Sequence, residues 1–342
     1  MNALSLIGGS FADDFFPFSL IRSVADIRCG ILTIREKWHR YLQNTEPLLT
    51  GLSVPANILP DAGLVSSLLS SNPDLSFSNS VKLLNLTDIL RYNENEFKKD
   101  FNLITSGRVS APVSSTNRLT GTNIFLEPGA TVEHCYLNSG DGPIYIGKNA
   151  LIMEGSMIRG PFAIGDKGVV KMGSKIYGTT TAGPNCVLGG EIKNSIFFGN
   201  SNKSHDGYLG DSIIGEYCNF GAGSSCSNLK NSLGRIKLWN PLRKSFFDGG
   251  LKCGLIMGDY SRSTINTSFT TGAVVGISCH VFGNGLTPGY LPSFSWGFNN
   301  EIYSFDKAID HISKWKKLKG QQLGDDEIKQ LKTIFDHQNK LK

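Results

Sequence analysis

Eight aliphatic residues stand six apart without a slip: Ile146, Ile152, Ile158, Ile164, Val170, Ile176, Ala182 and Leu188. Glycine follows Ile146, Ile164, Ala182 and Leu188. No α-helix sustains this spacing, because six residues at about 100° each turn the chain through about 600° and scatter the set around the axis. A half-buried strand would repeat every second residue. A period of six means a short strand and a turn, repeated, each unit sending one aliphatic side chain into a shared narrow interior. That is the hexapeptide pattern of a parallel β-helix. One coil cannot offset its chain entropy, but stacking lets each rung cover the next, and each fully buried aliphatic side chain adds roughly 1.5–3 kcal/mol.

Elsewhere the period shifts or disappears. Residues 1–105 lack it. There the pattern predicts helices over 33–42, over 59–70 with Asp61 as N-cap, and over 84–100, with Ser-Asn-Pro-Asp at 71–74 as a breaker. The Ser-, Thr- and Pro-rich stretch 105–120 reads as extended, and weak coil units begin near Ile124. After Leu188 the period breaks and restarts two residues out of phase at Tyr208, Ile214, Phe220 and Cys226. Residues 229–254 ignore it and read as a loop inserted at one corner. A third phase follows at Met257, Ser263, Phe269, Val275 and Val281, and 286–300 leave the coil. In the tail Asp325 reads as an N-cap. Ile328, Leu331 and Phe335 form one helical stripe, expected to seal the open end of the coil, where strand edges would otherwise be unpaired. The expected chain is mainly β: a small α/β cap over 1–105, a β-helix over 106–300 and a helical tail over 301–342.

Composition narrows the function classes. With 39 glycines and 18% charged residues, the 342-residue chain suits a turn-rich β protein. A net charge of +5 without a dominant Lys/Arg run gives no footing for nucleic acid. Seven cysteines, an odd number without a Cys-x-x-Cys pair, point to a reducing cytoplasm rather than to disulfides or structural zinc. The first residues carry no signal-peptide pattern, and no apolar run approaches the roughly 18 residues of a membrane span.

A repeat is expected to break where function overrides packing. The break at 189–207 holds Glu191, Lys193, Lys203, His205 and Asp206, with Tyr208 and Asp211 just after. Positions about eighteen apart share a face of such a coil, so Glu191, Lys193, His205, Asn219 and Asn228 are expected to converge on one side. Each also has a plainer reading: His205 as a structural histidine, Glu191 and Lys193 as an exposed ion pair, Asn219 and Asn228 as ladder asparagines at the corners. His134 and His280 read as surface or rung residues. A zinc centre needs three close histidines, and His205 is the only one between 135 and 279, so no metal site is expected. The serines of 224–227 have no evident His-Asp partner.

Over residues 191–229 four motifs stand in one unbroken frame: Glu191-Ile192-Lys193, His205-Asp206-Gly207-Tyr208-Leu209-Gly210-Asp211, Asn219-Phe220-Gly221-Ala222-Gly223 and Cys226-Ser227-Asn228. In this the stretch resembles the acetyltransferase half of the bifunctional N-acetylglucosamine-1-phosphate uridyltransferase/glucosamine-1-phosphate N-acetyltransferase family. The phrase from Arg22 to Trp38, RSVADIRCGILTIREKW, is similar to the divergent Bacteroidetes-type branch. The resemblance implies a left-handed prism, the exception to the right-handed crossover rule. It also implies acetyl-CoA as cosubstrate and a homotrimer with sites between neighbouring prisms. His205 would be the general base toward the amino group of the sugar phosphate, and Glu191 would hold its other ring N–H. Lys193 and Tyr208 would bind the sugar phosphate; Asn219 and Asn228 would orient the sugar and its amine; backbone N–H groups of the coil turns would stabilise the oxyanion. It assigns no residue to coenzyme A.

The sequence departs from the family in places. Leu229 stands where a Tyr is usual. The phosphate-binding Arg one coil earlier has no clear match, leaving Arg159 and Lys175. The basic residue after Asn228 could be Lys230, Arg235 or Lys237. Sugar nucleotidyltransferases carry a long loop of the form GxGTRxxxxxPK. Here Leu6-Ile7-Gly8-Gly9-Ser10 is followed by Asp13 and Asp14, so 1–105 reads as a shortened nucleotidyltransferase-like region and Gly8-Gly9 as a plain turn. The expected function is an acetyl- or acyl-CoA-dependent N-acyltransferase on an amino-sugar phosphate, serving cell-envelope sugar-nucleotide precursors. Two readings stay beside it: a sugar-1-phosphate nucleotidyltransferase, which would need Mg2+, and a non-catalytic coil that binds sugar nucleotides.

Overall fold

The computed structural model describes residues 4–42, 51–70, 75–299 and 301–340; the breaker expected at 71–74 lies outside them. The hexapeptide residues become the inside of a prism. Coils stack in parallel and in register, Ile146 on Ile164 on Ala182, Ile152 on Val170 on Leu188, and Ile158 on Ile176. All eight are 2% exposed or less. The molecule is mainly β, a left-handed parallel β-helix with a few helices before and after it.

The three faces differ in what covers them. The cap face has nine strands, from Ile124–Leu126 to Tyr290–Leu291. The open face has eight, from Arg118–Thr120 to Ser268–Phe269, so pairing starts one strand before Ile124. The third face comprises five strands ending at Asn202–Lys203 and four starting at Arg262–Ser263, bridged through Asn219.

The N-terminal residues build a small α/β cap on the first of these. Strands β1 (Leu4–Ile7) and β2 (Leu52–Pro55) pair in parallel, with α1 (Ile34–Leu42) between them, as parallel pairing needs a crossover. Two further helices follow, α2 (Ala62–Leu68) and α3 (Leu86–Thr105). The Asp61 carboxylate accepts from the Leu64 N–H, the expected N-cap. The cap sits where it does because the coil's outward residues there are apolar: Ile196, Phe198, Ile213, Ile256 and Val274 share one cluster with Phe15, Phe18, Ile27 and Trp38. Polar anchors fix the docking. Arg28 Nε donates to the Phe198 carbonyl at 3.2 Å, and Asn93 Nδ2 to that of Thr179 at 2.9 Å.

Three expectations are corrected. Residue 208 does not face inward: Leu209 fills the interior and Tyr208 points out, because Ile192 pairs with Leu209. Ile214, Phe220 and Cys226 do face inward. The segment 229–254 is not a plain loop but carries an antiparallel hairpin, Ile236–Asn240 against Ser245–Gly250. Its alternating Ile236 and Leu238 are buried in the cap cluster, a period of two that a hexapeptide template passes over. The tail forms two helices, α4 (Phe305–Leu318) and α5 (Asp325–Lys340). They lie along a corner of the prism, not over its end, since Ala308, Ile312 and Leu331 pack on Tyr217, Tyr260, Ile277 and Phe294. Asp325 is the first residue of α5, and the Ile328 N–H bonds to the Gly324 carbonyl at 3.0 Å. All seven cysteines are free and buried.

Candidate active site

The break in the repeat is a shortening of the coil. Val170 pairs with Leu188, eighteen residues on, but Leu188 pairs with Lys203, fifteen on. The missing residues come from the turns on either side of Glu191–Lys193. This tightening brings the motif strands into register on the open face.

Two outward columns run up that face. One reads Arg118, Tyr136, Met157, Lys175, Glu191 and Tyr208. The other, two residues further along each strand, reads Thr120, Asn138, Arg159, Tyr177, Lys193 and Gly210. At the top of the columns the side chains lock together. The Tyr177 hydroxyl donates to Glu191 Oε1 at 2.7 Å, and Lys193 Nζ lies 5.7 Å from the centre of the Tyr177 ring. Tyr208 donates to Asn228 Oδ1 at 3.2 Å. Asn228 in turn donates to the buried Asp211 carboxylate, which also accepts from Asn194 at 2.6 Å. The bond to Glu191 pushes the Tyr177 hydroxyl up to about 12, and burial does the same to Tyr208, so both remain donors at neutral pH.

His205 stands on the exposed corner turn between the third and open faces. The turn needs Gly207 two residues on: its φ is +120°, and a Cβ there would meet the Ser224 carbonyl oxygen at 2.2 Å. Among the described residues the imidazole has no hydrogen-bond or ion-pair partner, and the Glu191 carboxylate is engaged by Tyr177 instead. Of the sequence-derived residues, Glu191, Lys193, Tyr208 and Asn228 thus come together on one face, with His205 at its edge. Asn219 does not join them. It lies on the third face between Asn202 and Arg262. The register also sorts the two candidates for the missing Arg. Tyr177, not a cation, lies directly under Lys193; Lys175 lies under Glu191; Arg159 lies one strand below Tyr177.

Lys203 had no role assigned from sequence. It fills an interior position, 1% exposed, in the column of Ile152, Val170 and Leu188. Its ammonium reaches the corner turn and donates to the carbonyls of Gly189 at 3.1 Å and His205 at 2.6 Å. Burial pushes its pKa down to about 8. A period allowed to shorten by three would have found it.

Among the described residues no group of three or more His, Cys, Asp or Glu is placed to hold a metal ion. None of their helices is long and apolar enough to cross a membrane.

Stretches of the chain are similar to known proteins. Residues 5–65 match the sugar nucleotidyl transferase family model. The bifunctional protein GlmU of Methanocaldococcus jannaschii is 33% identical over 129 residues, 38% of this chain and 29% of the relative. The bifunctional sugar-1-phosphate nucleotidylyltransferase/acetyltransferase of Sulfurisphaera tokodaii is 33% identical over 27% of this chain and 23% of its own. The chain is similar to these bifunctional transferases over the matched stretches. It spans less than a third of the length of either. The solved structure of the polySia-specific acetyltransferase NeuO is 14% identical and covers 59% of this chain and 94% of its own, at a TM-score of 0.20 that carries no argument.

Proposed function

We propose that the chain is an acyl-CoA-dependent N-acyltransferase whose acceptor is an amino-sugar phosphate. The observation that carries this reading is the meeting of Glu191, Lys193, Tyr208 and Asn228 on the open face, beside the uncommitted imidazole of His205. In the reaction the acceptor nitrogen attacks the thioester carbonyl. A C–N bond forms, the C–S bond breaks, the thiol leaves, and His205 accepts the proton shed by nitrogen. Histidine is the side chain most often used for proton transfer of this kind near neutral pH. Lys193 supplies a point charge for the phosphate. Tyr208 and Asp211 fix the Asn228 amide, which retains one N–H for the acceptor. An exposed corner imidazole suits a crevice shared with a neighbouring copy, and the family resemblance implies a homotrimer as the working form. Seven free cysteines suit a reducing cytoplasm.

The test is thiol release from acetyl-CoA in the presence of glucosamine 1-phosphate. His205→Ala is expected to lose roughly 10²–10⁴-fold in rate; an unchanged rate removes His205 from the role. A second reading, nucleotidyl transfer with Mg2+, is favoured by the match over 5–65 and the parallel β1–β2 pair. Against it, Arg243 of the inserted hairpin pairs with Asp14 at 2.8 Å, beside the short Gly8-Gly9 turn. Pyrophosphate release from UTP and a sugar phosphate would support it. If both assays are blank, the non-catalytic, sugar-nucleotide-binding coil is left.

A further inference from the structure

Below the site, on the same open face, the two outward columns frame a groove of about 490 Å³ lined by Arg118, Tyr136, Met157, Arg159, Lys175 and Tyr177. A groove of this size suits a ligand larger than a sugar phosphate. Its charge is one-sided. Arg159 has a solvated partner, Asp141, at 3.6 Å, while Arg118 and Lys175 form no ion pair among the described residues. A flat ring and a thioether are left open beside these cations, Tyr136 at 57% and Met157 at 47% exposure.

Register sets the spacing. Neighbouring strands lie about 4.8 Å apart, so Arg159 is about 10 Å below Lys193 and Tyr136 about 14 Å below Glu191. Here Lys175 and Arg159 stand on adjacent rungs and in different columns, a spread that fits two linked phosphates.

We propose that this groove binds a nucleoside diphosphate group, with its phosphates on Lys175 and Arg159 and its base stacked on Tyr136. Two reactants carry that chemistry: an acceptor amino sugar still linked to a nucleotide, or the adenosine diphosphate end of the acyl-CoA. The inference rests on the open face being the reactive one.

Calorimetric titration of the full chain with UDP, ADP and inorganic phosphate tests the groove itself. One of the two nucleotides is expected to bind at least tenfold tighter than phosphate. Arg159→Ala and Tyr136→Ala should each weaken it about tenfold, and Tyr136→Ala should leave phosphate binding unchanged. No binding of either nucleotide at millimolar concentration, or binding that neither substitution alters, overturns the proposal. Acyl-transfer kinetics then separate the sources. If the acceptor carries the group, a UDP-linked amino sugar is the better substrate and Arg159→Ala raises its KM alone. If the donor carries it, Arg159→Ala raises the KM of acetyl-CoA alone. Nucleotide binding with the expected losses but no acyl transfer to either acceptor upholds the groove and rejects the acyltransferase reading.

Discussion

At the scale of single residues the most unusual feature is an ammonium inside an aliphatic column. Lys203 stands between Leu188 below and Phe220 above, and burial holds its pKa at about 8. The unfolded chain, with a lysine near the ordinary 10.4, binds more protons than the folded one between those values. Stability therefore rises with pH from about 8 to about 10 on account of this group, by on the order of 3 kcal/mol. Lys203→Met keeps the volume and removes the charge. By calorimetry the variant is expected to melt higher at pH 7 and to lack the alkaline rise; a variant that melts lower and keeps the rise rules out the ammonium as its source. Its two carbonyl bonds tie the interior to the turn that carries His205.

Among elements, the decisive contact is the one that holds the cap's own helices together. Between α1 and α3, Lys37 is 1% exposed and lies 2.9 Å from Glu96 and 2.5 Å from Asp100. Asp100 also accepts the N–H groups of Ile31 and Leu32. Lys37→Met would leave the buried Asp100 without its cation and Glu96 with Lys99 alone, a loss of about 3–5 kcal/mol. The expected outcome is a lower urea midpoint, with limited proteolysis cutting the cap before the coil; simultaneous loss of both parts would show that they unfold as one unit. The helices of the cap were legible because their signals are local: Asp61 caps α2 and Asn85 caps α3, each within its own turn. The hairpin was not, because Ile236 and Leu238 acquire meaning only against the cap that buries them.

At the scale of the whole molecule the cap occupies one face of the prism and α4 and α5 follow a corner, leaving the face of Glu191 and Lys193 and the corner of His205 accessible within the chain. Under the proposed acyltransferase reading a neighbouring copy completes this corner. Sedimentation equilibrium at micromolar concentration is expected to give a particle of three times 37.2 kDa. A monomer under conditions where acyl transfer proceeds would show that one prism suffices.

The period of six determined the coil by itself. A register of one inward residue per hexapeptide admits a single way to bury the aliphatic set, and all eight members from Ile146 to Leu188 obey it. The motif strands also announced four residues of one constellation. The sequence did not say which residues of the break face inward, because three deletions spread over two turns leave the phase ambiguous until hydrogen bonds to the neighbouring coils fix it. That is why Tyr208 was misplaced, Lys203 was left without a role, and Asn219 was expected on the wrong face. Which faces stay open was likewise beyond the local pattern, since it depends on where a distant cap and tail find apolar surface to cover.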